Sequence, residues 1–224
     1  MRIALRSAVA IEEEQLTWDA SAFLPEVITL ESLREAAAGC TACDLYRGGT
    51  QTVFGEGLAQ ADVMFIGEQP GDQEDRAGQP FVGPAGRVLD DSLEEVGIAR
   101  DDVYVTNVVK HFKWVARGKR RIHSKPNARE TRACTPWLNA ELAVVKPRVI
   151  VLLGATAAQA LLGSSFRVTQ SRGKPITGSD LAEHVVATVH PASILRAPDD
   201  ATREAERKAF VDDLRVVSRL LPRR

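Results

Sequence analysis

Cys40 and Cys43 are separated by two residues, a spacing that lets both thiolates face one metal. A redox pair of the thioredoxin kind would sit between a strand and a helix, whereas this pair follows a short helical pattern outside any sheet pattern. A third cysteine, Cys134, falls in a later helical segment, and three thiolates cannot close a four-ligand site. His111 is the candidate for the fourth position by residue type, because imidazole replaces thiolate on iron in Rieske centres. From composition alone a zinc site of three cysteines and one histidine serves as well as an iron-sulfur cluster. The plain alternative is three buried, reduced cysteines.

A second group of residues could do acid–base chemistry. Gly67-Glu68-Gln69-Pro70-Gly71-Asp72 lacks the Lys-Ser/Thr pair of a phosphate loop and does not match a dinucleotide fingerprint. A carboxylate at a strand end beside glycine and proline suits a general base or an electrostatic stabiliser. Its plain alternative is a solvated glutamate in a turn. From Lys110 to Arg132 nine basic residues face one acid, Glu130, leaving +8 there and -9 over the rest for the net charge of -1. Charges are felt only over a Debye length of about 8–10 Å, so this segment acts as a polycation whatever the total. A run so nearly unmixed, holding Trp114, Gly118 and Pro126, reads as a loop facing phosphate rather than a solvated face.

Four apolar, β-branched runs at 61–66, 103–109, 148–153 and 185–189 read as buried strands that would carry these residues. Helical patterns over 84–96, 128–145 and 155–162 separate them, and a last amphipathic helix spans about 201–221. Alternating strands and helices imply an α/β fold, a three-layer α/β/α sandwich around a mainly parallel four-stranded sheet. Ligands bind beyond the carboxyl ends of such strands. Glu68, Asn107, Gly154 and His190 follow or end the four runs, so one crevice should gather them.

Residues 1–28 show little periodicity beyond an acidic cluster and are expected to be a loosely held extension, with a single domain over 29–224 that begins at the potential helix cap Thr29. With 224 residues, 44% hydrophobic and 26% charged, the chain is neither collagenous, low-complexity nor disulfide-dense. No run reaches the roughly 18–20 apolar residues of a membrane span, and a cytoplasmic protein is expected.

GEQPGDQEDRAGQPFVGPAGRVLD, VYVTNVVK, GATAAQALLG and HPASILR occur in the order and with the spacing of the motifs of the family 4 uracil-DNA glycosylases, and the chain resembles that family from about Thr29 to Arg196. The resemblance implies the uracil-DNA glycosylase fold and a 4Fe-4S cluster. Where the family pattern reads TNxVKC this chain has Thr106-Asn107-Val108-Val109-Lys110-His111, so His111 replaces the fourth cluster cysteine beside Cys40, Cys43 and Cys134. Gln69 stands where Gly or Ala is usual, and together with Lys119-Arg120-Arg121-Ile122-His123 it resembles the UdgX subgroup, which becomes covalently attached to DNA after removing uracil.

By this resemblance Phe81 stacks on uracil and Asn107 reads its N3–H and O4, while Gln69 and Asp75 contribute to the pocket. His190 donates to the uracil O2 as charge develops there. Lys119, Arg120, Arg121, Ser193 and Arg196 contact the DNA. A nitrogen of His123 attacks C1' of the sugar while Glu68 takes the proton from the other nitrogen. The implied function is single-turnover excision of uracil from single-stranded or flipped-out substrate, by a monomer with no membrane partner. The alternatives are an ordinary multiple-turnover family 4 enzyme and an iron-sulfur DNA-binding protein without catalysis.

Overall fold

A computed structural model describes residues 17–222. After a 3-10 turn at Ala20–Phe23 come α1 (Leu30–Ala37), α2 (Leu45–Gly48), β1 (Glu56–Gly57), β2 (Val63–Gly67), α3 (Asp72–Ala77), α4 (Pro84–Glu95) and β3 (Val103–Asn107). The hairpin strands β4 (Trp114–Arg117) and β5 (Arg120–His123) lead into α5 (Ala128–Val145), β6 (Val149–Leu153), α6 (Ala155–Leu162) and α7 (Val168–Ser171). The chain closes with β7 (Pro175–Ser179), β8 (Ala182–Thr188), α8 (Pro191–Leu195) and α9 (Asp200–Leu220).

The main sheet has the order β1-β3-β2-β6-β8-β7, six strands rather than the four expected. Its four central strands are the apolar runs, all parallel, and the two additional strands are antiparallel edges. Neither edge carries an apolar signal: β1 has two residues and β7 begins with proline and is largely exposed, as edge strands commonly are. The basic segment is likewise not an open loop but contains a second, two-stranded sheet, β4 against β5.

Alternate residues of each central strand point to opposite faces, and this parity builds the three layers. Met64, Ile66, Tyr104, Ile150, Leu152, Val185 and Ala187 pack in the layer that holds α1, α5 and α6. Val63, Phe65, Val103, Val105, Val149, Val151 and Val186 pack in the layer that holds α4, α8 and α9. Thr29 caps α1 as expected, its hydroxyl accepting from the Ser32 amide at 3.1 Å while Ser32 Oγ accepts from the Thr29 amide at 3.0 Å. Residues 17–28 are held more closely than an extension would be. Ala20 is fully buried in the first core layer, and the Trp18 amide donates to the Ala42 carbonyl at 2.8 Å. Residues 1–16 of the expected extension lie outside the described residues.

Candidate functional site

Parallel pairing brings the ends of β2 and β3 side by side, with Gly67 opposite Asn107. The amides of Val108 and Val109 continue that ladder onto the carbonyls of Gly67 and Glu68, which is why the apolar run 103–109 outlasts the strand. A β-carbon on Gly67 would stand 2.3 Å from Asn107 Oδ1 and 2.8 Å from Phe81 Cζ, so the bare glycine gives both side chains their place. Phe81 is buried in a left-handed conformation (φ 58°), an unfavourable backbone state for an aromatic residue and one that collects at functional sites. Gly86 of α4 accommodates it, since a β-carbon there would overlap the Phe81 carbonyl. The Phe81 ring lies parallel to within 23° of the His190 ring, with centroids 6.0 Å apart.

His190 leaves β8 as the cap of α8. Its Nδ1 accepts the Ala192 amide at 3.1 Å, so a neutral ring carries its proton on Nε2. Burial lowers its pKa to about 4, the nearby Arg196 and His123 adding to this against the pull of Glu68. At neutral pH the ring is therefore an uncharged donor. Asn107 Oδ1 is buried with no hydrogen-bond partner, an acceptor whose desolvation costs about 1–3 kcal/mol while it stays unpaired.

Glu68 extends from the end of β2 and divides its two oxygens. Oε1 is 3.0 Å from His123 Nε2 on β5, and Oε2 accepts the hydroxyl hydrogen of Thr156 at the start of α6. Burial would raise the carboxyl's pKa, but hydrogen bonds with His123 and Thr156 and the charge of Lys125 outweigh it and hold Glu68 below the ordinary carboxylate value. His123 is half exposed, its side chain 52% accessible against 19% for Glu68, so a ligand can reach the ring while the carboxylate stays sheltered.

The hairpin that carries His123 is tied down at its root. Gln69 is buried, its Nε2 donating to the carbonyls of Lys113 and Ser124 at 3.1 and 3.2 Å and its Oε1 accepting the Lys113 amide at 3.1 Å. Arg121, two residues before His123 on β5 and paired across the hairpin with Ala116, gives its Nε to Asp72 at 2.5 Å and its Nη1 to Asp75 at 2.6 Å, and lies over the rings of Phe112 and Trp114. Asp75 is fully buried and also accepts the amide and hydroxyl of Thr50. Gln69, Asp75 and Arg121 thus act on the hairpin here. Lys119 and Arg120 are exposed at its tip, where Gly118 (φ 60°) makes the two-residue turn. Arg196 and Ser193 are exposed beside His190, the Ser193 hydroxyl donating to the His190 carbonyl.

Residues 110–113 link this hairpin to the core as a strap. Lys110 is buried, its ammonium donating to the Asn107 carbonyl at 2.8 Å, to Thr106 Oγ1 at 2.6 Å and to the buried Glu141 of α5. Glu141 also accepts from the Tyr104 hydroxyl and the Gly55 amide, both at 3.0 Å. The Lys110 amide donates to Cys134 Sγ at 3.3 Å. His111 is buried with its Nε2 3.2 Å from Thr52 Oγ1, and Thr52 spends its single hydroxyl hydrogen on the Ala37 carbonyl at 2.8 Å. His111 is therefore the donor in that pair, which leaves Nδ1 with the lone pair. Burial lowers its pKa to about 4, so the ring is neutral.

Cys40, Cys43 and Cys134 are all free and buried in the first core layer. Cys40 Sγ accepts the indole hydrogen of Trp137 at 3.3 Å. Burial pushes the Cys43 thiol up and that of Cys134 to about 12, and the cysteines feel one another's charge. Among the described residues no three or more His, Cys, Asp or Glu side chains converge to hold one metal ion. The donor set is nonetheless three thiols sheltered from water, with Cys40 and Cys134 accepting N–H hydrogen bonds, which fits a group held by thiolate sulfur.

Sequence reasoning missed Thr156, Gly67 and the Lys110–Glu141 pair. A lysine and a glutamate, each embedded in apolar surroundings, were the available signal for the last. Thr156 lies within the GATAAQALLG motif, but a threonine in the first turn of a helix is commonplace and nothing there tied it to Glu68. A separate cleft of about 380 Å³, lined by Asn139, Leu142, Lys146 and Asp180 among others, lies where the chain enters β6 and β8, at the opposite end of the sheet from this constellation.

The uracil DNA glycosylase superfamily matches residues 54–215. A type-4 uracil-DNA glycosylase of Thermotoga maritima is 39% identical over 168 residues, covering 75% of this chain and 83% of that protein. One of Pyrobaculum aerophilum is 37% identical over 175 residues, covering 75% of this chain and 86% of the relative. A third, of Saccharolobus solfataricus, is 32% identical and covers 86% of both chains.

Proposed function

This chain belongs to the uracil-DNA glycosylase superfamily, and on that premise we propose that it excises uracil from DNA and is then captured on the abasic site through His123. The observation that carries the second half of this reading is the 3.0 Å contact between His123 Nε2 and Glu68 Oε1, at the strand ends where Phe81 lies against Gly67 beside Asn107 and its ring lies over His190.

The uracil ring, flipped from the stack, lies on Phe81. Asn107 Oδ1, orphaned in the free protein, accepts the uracil N3–H, and the amide nitrogen donates to O4. Cytosine has no hydrogen on N3 and a donor in place of O4, so it would leave both groups opposed. As the bond between C1' and uracil N1 breaks, its electron pair stays with the base. The neutral His190 donates from Nε2 to the developing charge on O2, without the cost of first losing a proton from a cation.

The cationic sugar is then captured. The His123 nitrogen turned away from Glu68 forms the bond to C1', and the proton on the nitrogen facing Glu68 passes to its carboxylate. The product is a neutral N-substituted imidazole, which is a poor leaving group, so the complex outlasts denaturation. Lys119 and Arg120 at the hairpin tip and Arg196 beside His190 hold phosphates, and one chain supplies every group used.

A 4Fe-4S cluster fits the sheltered thiols. Cys40, Cys43 and Cys134 would bind it with His111, whose neutral ring has its free lone pair on Nδ1. The cluster's contribution would be structural, cross-linking the segment after α1 to the strap and to α5.

Incubation with uracil-containing single-stranded DNA followed by a denaturing gel tests the reading. A retarded band that disappears in His123→Ala supports capture, and free abasic product in excess of enzyme shows ordinary turnover instead. No uracil release at all refutes the enzyme. Iron analysis and absorption in the visible region of anaerobically purified protein test the cluster separately, and iron-free, colourless protein overturns it.

A further inference from the structure

We infer that Thr156 is a positioning residue that decides how completely excision is followed by capture, by fixing the orientation of the Glu68 carboxylate toward His123. This rests on the capture reading above and extends it to a residue to which neither the motifs nor the relatives give a role.

The last torsion of a glutamate joins a tetrahedral to a trigonal carbon and is soft, so a carboxylate with one partner samples a broad range of orientations. Glu68 has two partners on different elements. Thr156 donates its hydroxyl hydrogen to Oε2, and His123 lies 3.0 Å from Oε1. With Oε2 held from α6, Oε1 is directed at the hairpin. Thr156 is itself well placed to act as a fixed point. Its χ1 is restricted by β-branching, and the helix that carries it is seated by the buried Ala157 and Ala158. The preceding Gly154 makes the turn from β6 into α6 at φ 90°, passing so close to His190 that a β-carbon would lie 3.1 Å from that of the histidine. The helix start that orients Glu68 is therefore packed against the group that stabilises the departing uracil.

The proton accounting shows why orientation matters at the second step and not the first. Glycosidic cleavage breaks the bond between C1' and N1, leaves the electron pair on uracil and is served by His190. Capture makes the bond from nitrogen to C1', and the imidazole must lose the proton on its other nitrogen to Glu68 Oε1. If the carboxylate has swung away, the proton stays, the histidine remains cationic and its attachment is reversible, so water competes for the sugar.

The experiment measures uracil released per covalent complex on one uracil-containing single-stranded oligonucleotide. Wild-type protein should give a ratio near one. Thr156→Val, which keeps the shape and removes the hydroxyl, should raise it at least threefold, with free abasic DNA as the difference. Thr156→Ser should restore it. The acid limb of the capture rate should also move to higher pH in Thr156→Val, because the lost hydrogen bond favoured the ionised carboxylate. A ratio that stays at one in Thr156→Val, or in Thr156→Ala should the valine variant not fold, overturns the role of Thr156 alone. Wild-type protein that releases uracil and forms no complex overturns the capture reading and this inference with it.

Discussion

Replacing Gly67 by alanine should disable the pocket while leaving the fold intact. The new β-carbon would lie 2.3 Å from Asn107 Oδ1, and β-carbon contacts are essentially never under 3.0 Å, so a separation of at least about 0.7 Å must be made up. It would also lie 2.8 Å from Phe81 Cζ, so a retreat by Asn107 alone does not suffice. Neither neighbour yields freely. The backbone of Asn107 is held by the ladder with β2 and by the Lys110 ammonium, and Phe81 is wedged by Gly86. Overpacking of this kind costs about 1–3 kcal/mol, well short of the stability of a typical domain. A displacement of about 1 Å in a positioned group can cost on the order of 100-fold in rate. Single-turnover uracil release should thus fall by about 100-fold while circular dichroism still reports a cooperative melt. Release within about threefold of wild type, at an unchanged melting temperature, would refute the view that Gly67 leaves the space Asn107 and Phe81 require.

Arg121 and the tip cations should separate in salt titrations of single-stranded DNA binding. Lys119→Gln or Arg120→Gln should each lower the slope of log affinity against log salt by about 0.7, and Arg121→Gln should leave it unchanged because Asp72 and Asp75 already neutralise that guanidinium. Glu141→Ala strands the Lys110 ammonium in the core and should cost about 3–5 kcal/mol in a denaturant melt; Lys110→Met combined with Glu141→Met should recover more than half of this, and a double variant as unstable as the single one would contradict the pairing. The folded His190 titrates at about 4 and the unfolded one near 6.5, so in that window the unfolded chain binds more protons and stability rises with pH. Between pH 7 and 4.5 wild type should lose about 2 kcal/mol more than His190→Gln in urea titrations. An equal loss would show that His190 is not held neutral.

The central sheet was legible because four buried parallel strands are continuous apolar runs, and their carboxyl ends could be ordered from sequence alone. The edge strands were not, since β1 and β7 are stabilised by pairing to a neighbour already in place rather than by their own composition. The motifs around Glu68, Phe81, Asn107, His123 and His190 named the groups that the proposed reaction uses. They did not reveal that Arg121 and Lys113, within a basic run, are matched by Asp72, Asp75 and Glu130. Asp72 and Asp75 are distant from Arg121 in sequence, and although Glu130 is the one acid of the run itself, a charge count along the chain cannot see a contact across space. Thr156 was invisible for the same reason, because its importance lies wholly in the position of Glu68.

The strap at residues 110–113 also limits how the chain can vary in length. Lys110 meets Glu141 and Cys134 Sγ, His111 meets Thr52 and Lys113 meets Gln69, and an extended residue advances the chain by about 3.3 Å. One inserted or deleted residue would put every later tie out of step, so there is no neutral indel within it. Beyond the strap the constraint lapses. At Gly118 an added β-carbon would meet nothing within 4 Å. The tip can lengthen while the ties that aim His123 remain in register, and the positive φ of Gly118 (60°), not space, is what favours glycine there.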